Sequence, residues 1–235
     1  MAPSNTEPKR CQVKVCGIRE PAEAAALDAM GVDWIGFNFH PGSKRYVAPE
    51  AAAPQIRALR HAIPVGVFAD ADPDFVIRVT NDSGIRYLQL HGNEDWDYIR
   101  RMPAPVIKAI PHDRLKDLGG LRAPLEAALR AGEPAAPLAY FLVDTAAPAA
   151  GVAGAPGITG AAGFGGTGKT FDWTLLAEHP LPLPFFLAGG IGPQNLPEAL
   201  AACSPFAVDL NSKVEIAPAR KDLEKVRACL DLVAR

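Results

Sequence analysis

Apolar residues along this chain gather into short β-prone runs separated by longer stretches with helical spacing. The runs are VKVCG, WIGFNF, PVGVFAD, YLQLHG, VIKAIP, AYFLVDT, FFLAGG and AVDLNS. The stretches between them extend from EPAEAAALDAMG to ARKDLEKVRACLDLVAR. In the last of these, Leu223, Val226, Leu230 and Val233 recur at the 3-4-3 spacing of one helix face. Leu196, Ala199, Leu200 and Cys203 form the same stripe one unit earlier. Asp72 before Pro73 reads as a helix N-cap followed by proline at the first helical position. Eight strand-helix units in 235 residues, about 29 residues each, predict a (β/α)8 barrel. An open doubly wound sheet is the alternative. Against it, no linker divides the chain and no G-x-G-x-x-G follows the first strand. The expectation is one barrel domain over residues 1–235, with 1–11 a flexible N-terminal extension and 146–164 a long loop after strand six.

Composition narrows the function classes. Hydrophobic residues make up 49% of the chain, enough for a large core. The formal net charge is −2 and no basic run stands out, so nucleic-acid binding has no electrostatic support. MAPSNTEPKR lacks the apolar core of a secretion signal, and the apolar part of LPFFLAGGIG is too short to span a bilayer. A cytoplasmic protein with no membrane segment is expected. The four cysteines, Cys11, Cys16, Cys203 and Cys229, form no C-x-x-C pair and sit near no histidine cluster. Neither a structural zinc site nor a disulfide framework is expected, and Cys203 and Cys229 read as small buried hydrophobes.

A barrel fixes where chemistry can occur, because its active site lies at the C-terminal ends of the strands. Those ends read Cys16-Gly17, Asn38 to His40, Asp70, His91-Gly92, Pro111-His112, Asp144-Thr145, Gly189-Gly190 and Asn211-Ser212. GFGGTGKT, residues 163–170, matches the phosphate-cradling pattern G-x-x-x-x-G-K-[ST]. That loop must follow a strand directly, whereas here the strand ends near Thr145 and a long Ala/Gly/Pro-rich stretch intervenes. The context opposes a nucleotide-triphosphate site. Glycine-rich backbone can still hold an anion, and barrels often bind phosphate on the loops after strands seven and eight. Gly165, Gly166, Gly189 and Gly190 are therefore candidates to converge on one phosphate, with Asn211 and Ser212 beside them. The alternative is that these glycines only form turns.

Lys14 and Cys16 are two residues apart on one strand, so their side chains point the same way. A unit charge about 6–7 Å away is worth roughly 2.5 kcal/mol at an effective dielectric of 20. That would draw the Cys16 thiol down toward neutrality, as a general base or nucleophile requires. Burial would oppose the effect, and Asp209 on strand eight is a carboxylate that could cancel much of it. Asp144, ending strand six, could supply an acid across the mouth, or it could be a capping or exposed loop residue. His91 reads equally as a substrate contact or a structural imidazole. Arg45 offers a planar fork suited to a carboxylate, though a solvated arginine is the common case.

Seven segments in order, VKVCGI, GVDWIGFNFHPGSKRYV, VGVFAD, LQLHGNED, FLVDT, GGTGKTFDW and LAGGIGPQNL, resemble the phosphoribosylanthranilate isomerases of tryptophan biosynthesis over nearly the whole chain. The resemblance implies a cofactor-free Amadori rearrangement of a small phosphosugar-anthranilate substrate by a monomer or homodimer, with no metal. It implies Asp144 as general acid and Cys16 as general base, with Arg45 on the anthranilate carboxylate and the glycines of loops six to eight on the phosphate. His91, Asn211 and Ser212 fall among the substrate contacts. One segment departs from the family pattern. After strand eight, Lys213 stands where glycine is usual, and Ala219 or Arg220 stands where a second glycine is expected, in DLNSKVEIAPARKD.

Overall fold

A computed structural model describes residues 10–132, 137–144, 173 and 175–234. Eight parallel strands close into a barrel in sequence order: β1 Gln12–Cys16, β2 Trp34–Asn38, β3 Ile63–Phe68, β4 Tyr87–Leu90, β5 Val106–Pro111, β6 Leu138–Asp144, β7 Phe185–Ala188 and β8 Ala207–Leu210. The predicted strands are these eight. The helices among the described residues are α1 Pro21–Ala29, α2 Pro49–Ala58, α3 Pro73–Ser83, α4 Trp96–Arg100, α5 Arg122–Arg130, α6 Leu175–Glu178, α7 Leu196–Cys203 and α8 Leu223–Val233. After β8 the chain adds a small antiparallel hairpin, β9 Glu215–Ala217 with β10 Arg220–Lys221. Gly165, Gly166, Lys169 and the 146–164 loop lie outside the described residues, as do residues 1–9. At the end of the predicted extension, Arg10 pairs with Asp33 at 2.6 Å and Cys11 is half-buried.

Local chemistry sets the helix ends. Asp72 Oδ1 accepts from the backbone N–H groups of Asp74 and Phe75 at 2.9 and 3.1 Å, as its N-cap position predicts. Gly84, at φ 90°, closes α3 in the left-handed conformation that glycine adopts without a Cβ clash. Asp222 caps α8 in the same way as Asp72 caps α3. The α8 stripe buries Val226 and Val233, with Cys229 fully buried between them, while Leu223 stays at the surface.

Strand alternation divides the core in two. Val13 and Val15 of β1, with Ile35 and Phe37 of β2, join the layer between barrel and helices. Trp34, Val65, Ile107, Leu142 and Phe186 form a separate cluster. Lys14 pairs in register with Trp34 on one side and Asp209 on the other. At the N-terminal floor, Trp34 meets Tyr87, Phe186, Tyr140 and Phe206 with ring centroids 4.8, 5.3, 6.0 and 6.3 Å away, all edge-on. Such edge-to-face pairs set the positive rim of one ring against the negative face of another. Among the described residues, no helix is long and apolar enough to cross a membrane.

Candidate active site

A cavity of about 600 Å³ opens at the C-terminal end of the barrel. Eight of the ten candidate catalytic and substrate-binding residues line it: Cys16, Arg45, His91, Asp144, Gly189, Gly190, Asn211 and Ser212. Each stands at a strand end or on the following loop, so barrel closure gathers them from distant parts of the chain. Among the described residues, no group of three His, Cys, Asp or Glu side chains could hold a metal ion.

Cys16 ends β1 with 5% of its surface exposed. Beside it on β2 is Gly36, its register partner. A Cβ there would come within 2.9 Å of the Cys16 sulfur and 3.3 Å of Lys14 Nζ. Glycine at that position leaves the thiol its space. Below the thiol, Lys14 is fully buried and its ammonium donates to Asp209 Oδ1 at 2.8 Å. Burial alone would lower the lysine pKa, but Asp209, with a smaller contribution from Cys16, raises it. The thiol does not follow the expectation drawn from Lys14 alone. Burial raises its pKa, Lys14 draws it back, and Asp209 opposes Lys14. The result is a thiol held above its ordinary value by burial, which Lys14, partly offset by Asp209, does not overcome.

Asp144 is the last residue of β6, and its Oδ2 lies 3.6 Å from His91 Nε2. His91 Nδ1 sits 2.9 Å from the side-chain amide nitrogen of the buried Gln89.

Arg45 follows β2 and reaches across to the hairpin after β8. Its Nε and Nη2 donate to Glu215 Oε1 and Oε2 at 2.7 and 2.8 Å, a two-pronged pair. Glu215 Oε1 also accepts from Lys221 Nζ at 2.7 Å, and Lys221 donates to Asn211 Oδ1 at 3.0 Å. Burial would raise the Glu215 carboxyl, but Arg45 and Lys221 together hold it below its ordinary value. Burial lowers the pKa of Lys221 despite Glu215 beside it.

Gly189 and Gly190 follow β7 at φ 86° and 73°, values that side chains rarely adopt. Asn195 ties down the turn that follows. Its Oδ1 accepts from Gly192 N–H at 2.9 Å, and its Nδ2 donates to Gly190 C=O at 3.1 Å. Lys213 lies against this turn, and a Cβ on Gly192 would meet the Lys213 Cβ at 2.9 Å. The glycine expected near residue 219 is an alanine held at φ 62°. The hairpin therefore keeps the left-handed turn without the residue that adopts it at no steric cost.

A family model for N-(5'phosphoribosyl)anthranilate (PRA) isomerase matches residues 13–231. The chain belongs to this family. An N-(5'-phosphoribosyl)anthranilate isomerase of Microcystis aeruginosa is 35% identical over 94% of this chain and 96% of its own length. Among solved structures, the phosphoribosyl anthranilate isomerase of Thermotoga maritima is 30% identical, with a TM-score of 0.74, over 95% of this chain and 98% of that one. A further structure of a phosphoribosyl anthranilate isomerase, in complex with reduced 1-(o-carboxyphenylamino)-1-deoxyribulose 5-phosphate, is 28% identical with a TM-score of 0.71 and covers the same shares.

Within this isomerase frame, sequence reasoning missed Glu215, Lys221 and Gln89. Glu215 and Lys221 fall in the very segment where the departures from the family pattern were noted. Their signal was a carboxylate and a lysine flanking a turn, with nothing in the sequence to show that Glu215 pairs with both Arg45 and Lys221. Gln89 of β4 lies two residues before His91, so its direction was legible but its partner was not. Gly165 and Gly166 lie outside the described residues.

Proposed function

We infer that Asp144 and Cys16 perform the acid and base steps of N-(5'-phosphoribosyl)anthranilate isomerisation, the activity of the family to which the chain belongs. Asp144 donates a proton to the furanose ring oxygen. The C1–O bond breaks, and the anilino nitrogen supplies the electrons that form the C1=N Schiff base. Cys16, as thiolate, removes the C2 proton. The C2–H electron pair forms the C1–C2 double bond, and the C=N electrons return to nitrogen, giving an enolamine. Tautomerisation moves the hydroxyl proton of C2 to C1 and yields 1-(2-carboxyphenylamino)-1-deoxyribulose 5-phosphate. A positioned acid or base typically contributes about 10²- to 10⁴-fold.

Arg45 receives the anthranilate carboxylate on its planar fork. Backbone N–H groups around Gly189 and Gly190, with Asn211 and Ser212, receive the phosphate, and Gly165 and Gly166 would extend that cradle. His91, beside Asp144 in the same cavity, contributes a substrate contact. The observation that carries this reading is the meeting of Cys16 and Asp144 in one cavity that also contains Arg45 and the Gly189-Gly190 turn. The substrate requires these four features together: a base, an acid, a carboxylate fork and an anion cradle. The chemistry draws on side chains alone and suits a cytoplasmic metabolic enzyme.

The test follows the loss of substrate anthranilate fluorescence with purified protein. Cys16→Ala and Asp144→Asn are each expected to lower kcat by about 10²-fold or more, with thermal unfolding close to that of the parent. Full turnover by either variant would overturn its assigned role.

A further inference from the structure

The Arg45 guanidinium is held by more than its ion pair. Gly17, at φ 82°, lies against its stem, and a Cβ on Gly17 would fall 2.4 Å from Arg45 Cδ. The side chain therefore passes through a gap that only glycine leaves open. At its far end both Glu215 oxygens lie along one edge of the guanidinium, the edge formed by Nε and Nη2. Arginine has a second usable edge, formed by Nη1 and the remaining Nη2 hydrogen, with the same two-pronged geometry. Among the described residues, Nη1 makes no hydrogen bond within the protein.

Glu215 is itself anchored. It is 6% exposed, Lys221 donates to its Oε1 at 2.7 Å, and Ala219 N–H approaches the same oxygen at 3.3 Å. Lys221 is fully buried. Two cations share one carboxylate, so the cluster Arg45, Glu215 and Lys221 keeps one unit of positive charge. A surplus cation with one open two-pronged edge, lining the cavity, matches a planar monocarboxylate.

We propose that Glu215 is a positioning residue for substrate binding: by occupying the Nε–Nη2 edge of Arg45 it turns the Nη1–Nη2 edge toward the cavity as the docking edge for the substrate carboxylate. The proposal rests on the reading of Arg45 as the carboxylate receptor. In this proposal Glu215, although it lines the cavity, acts through Arg45. Its contribution is orientation of a group that would otherwise sample many rotamers, so its loss weakens binding and leaves the chemical step alone.

The experiment is a double-mutant cycle on KM and kcat with Glu215→Gln, Arg45→Ala and the combined variant. Glu215→Gln is expected to raise KM about tenfold or more, with kcat changed by less than about threefold. In the Arg45→Ala background the same substitution is expected to change KM by less than about twofold, because the group it positions is gone. Additive KM effects, or a fall in kcat with KM unchanged, would overturn the positioning role. If Arg45→Ala leaves KM unchanged, the reading of Arg45 fails first, and that failure is separate from a failure of Glu215. Glu215→Gln leaves buried Lys221 without a counter-charge. Should that variant not fold, Glu215→Asp preserves the charge but is one methylene short of the fork, and the same cycle applies with the same criteria.

Discussion

The two ends of this barrel are built from the same eight strands and hold their side chains by opposite means. At the floor, Trp34, Tyr87, Tyr140, Phe186 and Phe206 fill the space with rings. At the mouth, Lys14 with Asp209, and Arg45 and Lys221 with Glu215, fill it with charge. Apolar packing removes area from water and stabilises roughly in proportion. A buried ion pair does not, because the attraction between the charges is offset by the loss of their hydration. The floor is where the fold draws stability, and the mouth is where it holds orientation.

The sharpest break of that comparison is Trp34→Ala. Removing a buried tryptophan costs about 3–5 kcal/mol, read as a lower urea midpoint, while KM and kcat of the folded fraction stay within about threefold of the parent. A tenfold rise in KM would mean that the floor also orients the mouth.

A smaller effect sharpens the account of Cys16. Its thiol is held above its ordinary value by burial, so the thiolate is the minor form at neutral pH and grows as pH rises. Alkylation of Cys16, followed by peptide mass, should climb about tenfold per pH unit from neutrality to beyond the ordinary thiol value. A plateau near pH 7 would mean that Lys14 overcomes both burial and Asp209.

The smallest effect concerns the hairpin. Ala219→Gly relieves roughly 1–2 kcal/mol of left-handed strain and gives up about 0.8 kcal/mol of methyl burial. A net gain of roughly 0.5 kcal/mol in urea unfolding is expected, with KM unchanged. A loss of stability would show that packing of that methyl outweighs the strain.

The barrel itself was legible because strand alternation and the 3-4-3 helix stripes are local patterns, and each of the eight apolar runs is a strand. Strand-end arithmetic then placed Cys16, His91, Asp144 and Gly189 at the mouth. Two things were not legible. The direction of the Cys16 shift depended on how completely Lys14 is neutralised, and sequence could name Asp209 as a partner without giving a 2.8 Å contact. The setting of Arg45 depended on a hairpin 170 residues downstream. Spacing says nothing about that approach until the ring of strands has closed.

That closure has a consequence for how the molecule is made. Lys14 meets Asp209 across 195 residues, and Arg45 meets Glu215 across 170. Contacts of such sequence separation form late, because the intervening chain must be ordered before they repay its entropy. The first strand leaves the ribosome with Cys16 on it, yet the surroundings that tune the thiol arrive only with the last quarter of the chain. A nascent or truncated copy carries the Cys16 thiol without Asp209 or the Glu215 hairpin around it. Completion of the ring is what assembles the mouth, because its ion pairs join the first two strands to the last strand and the hairpin after it.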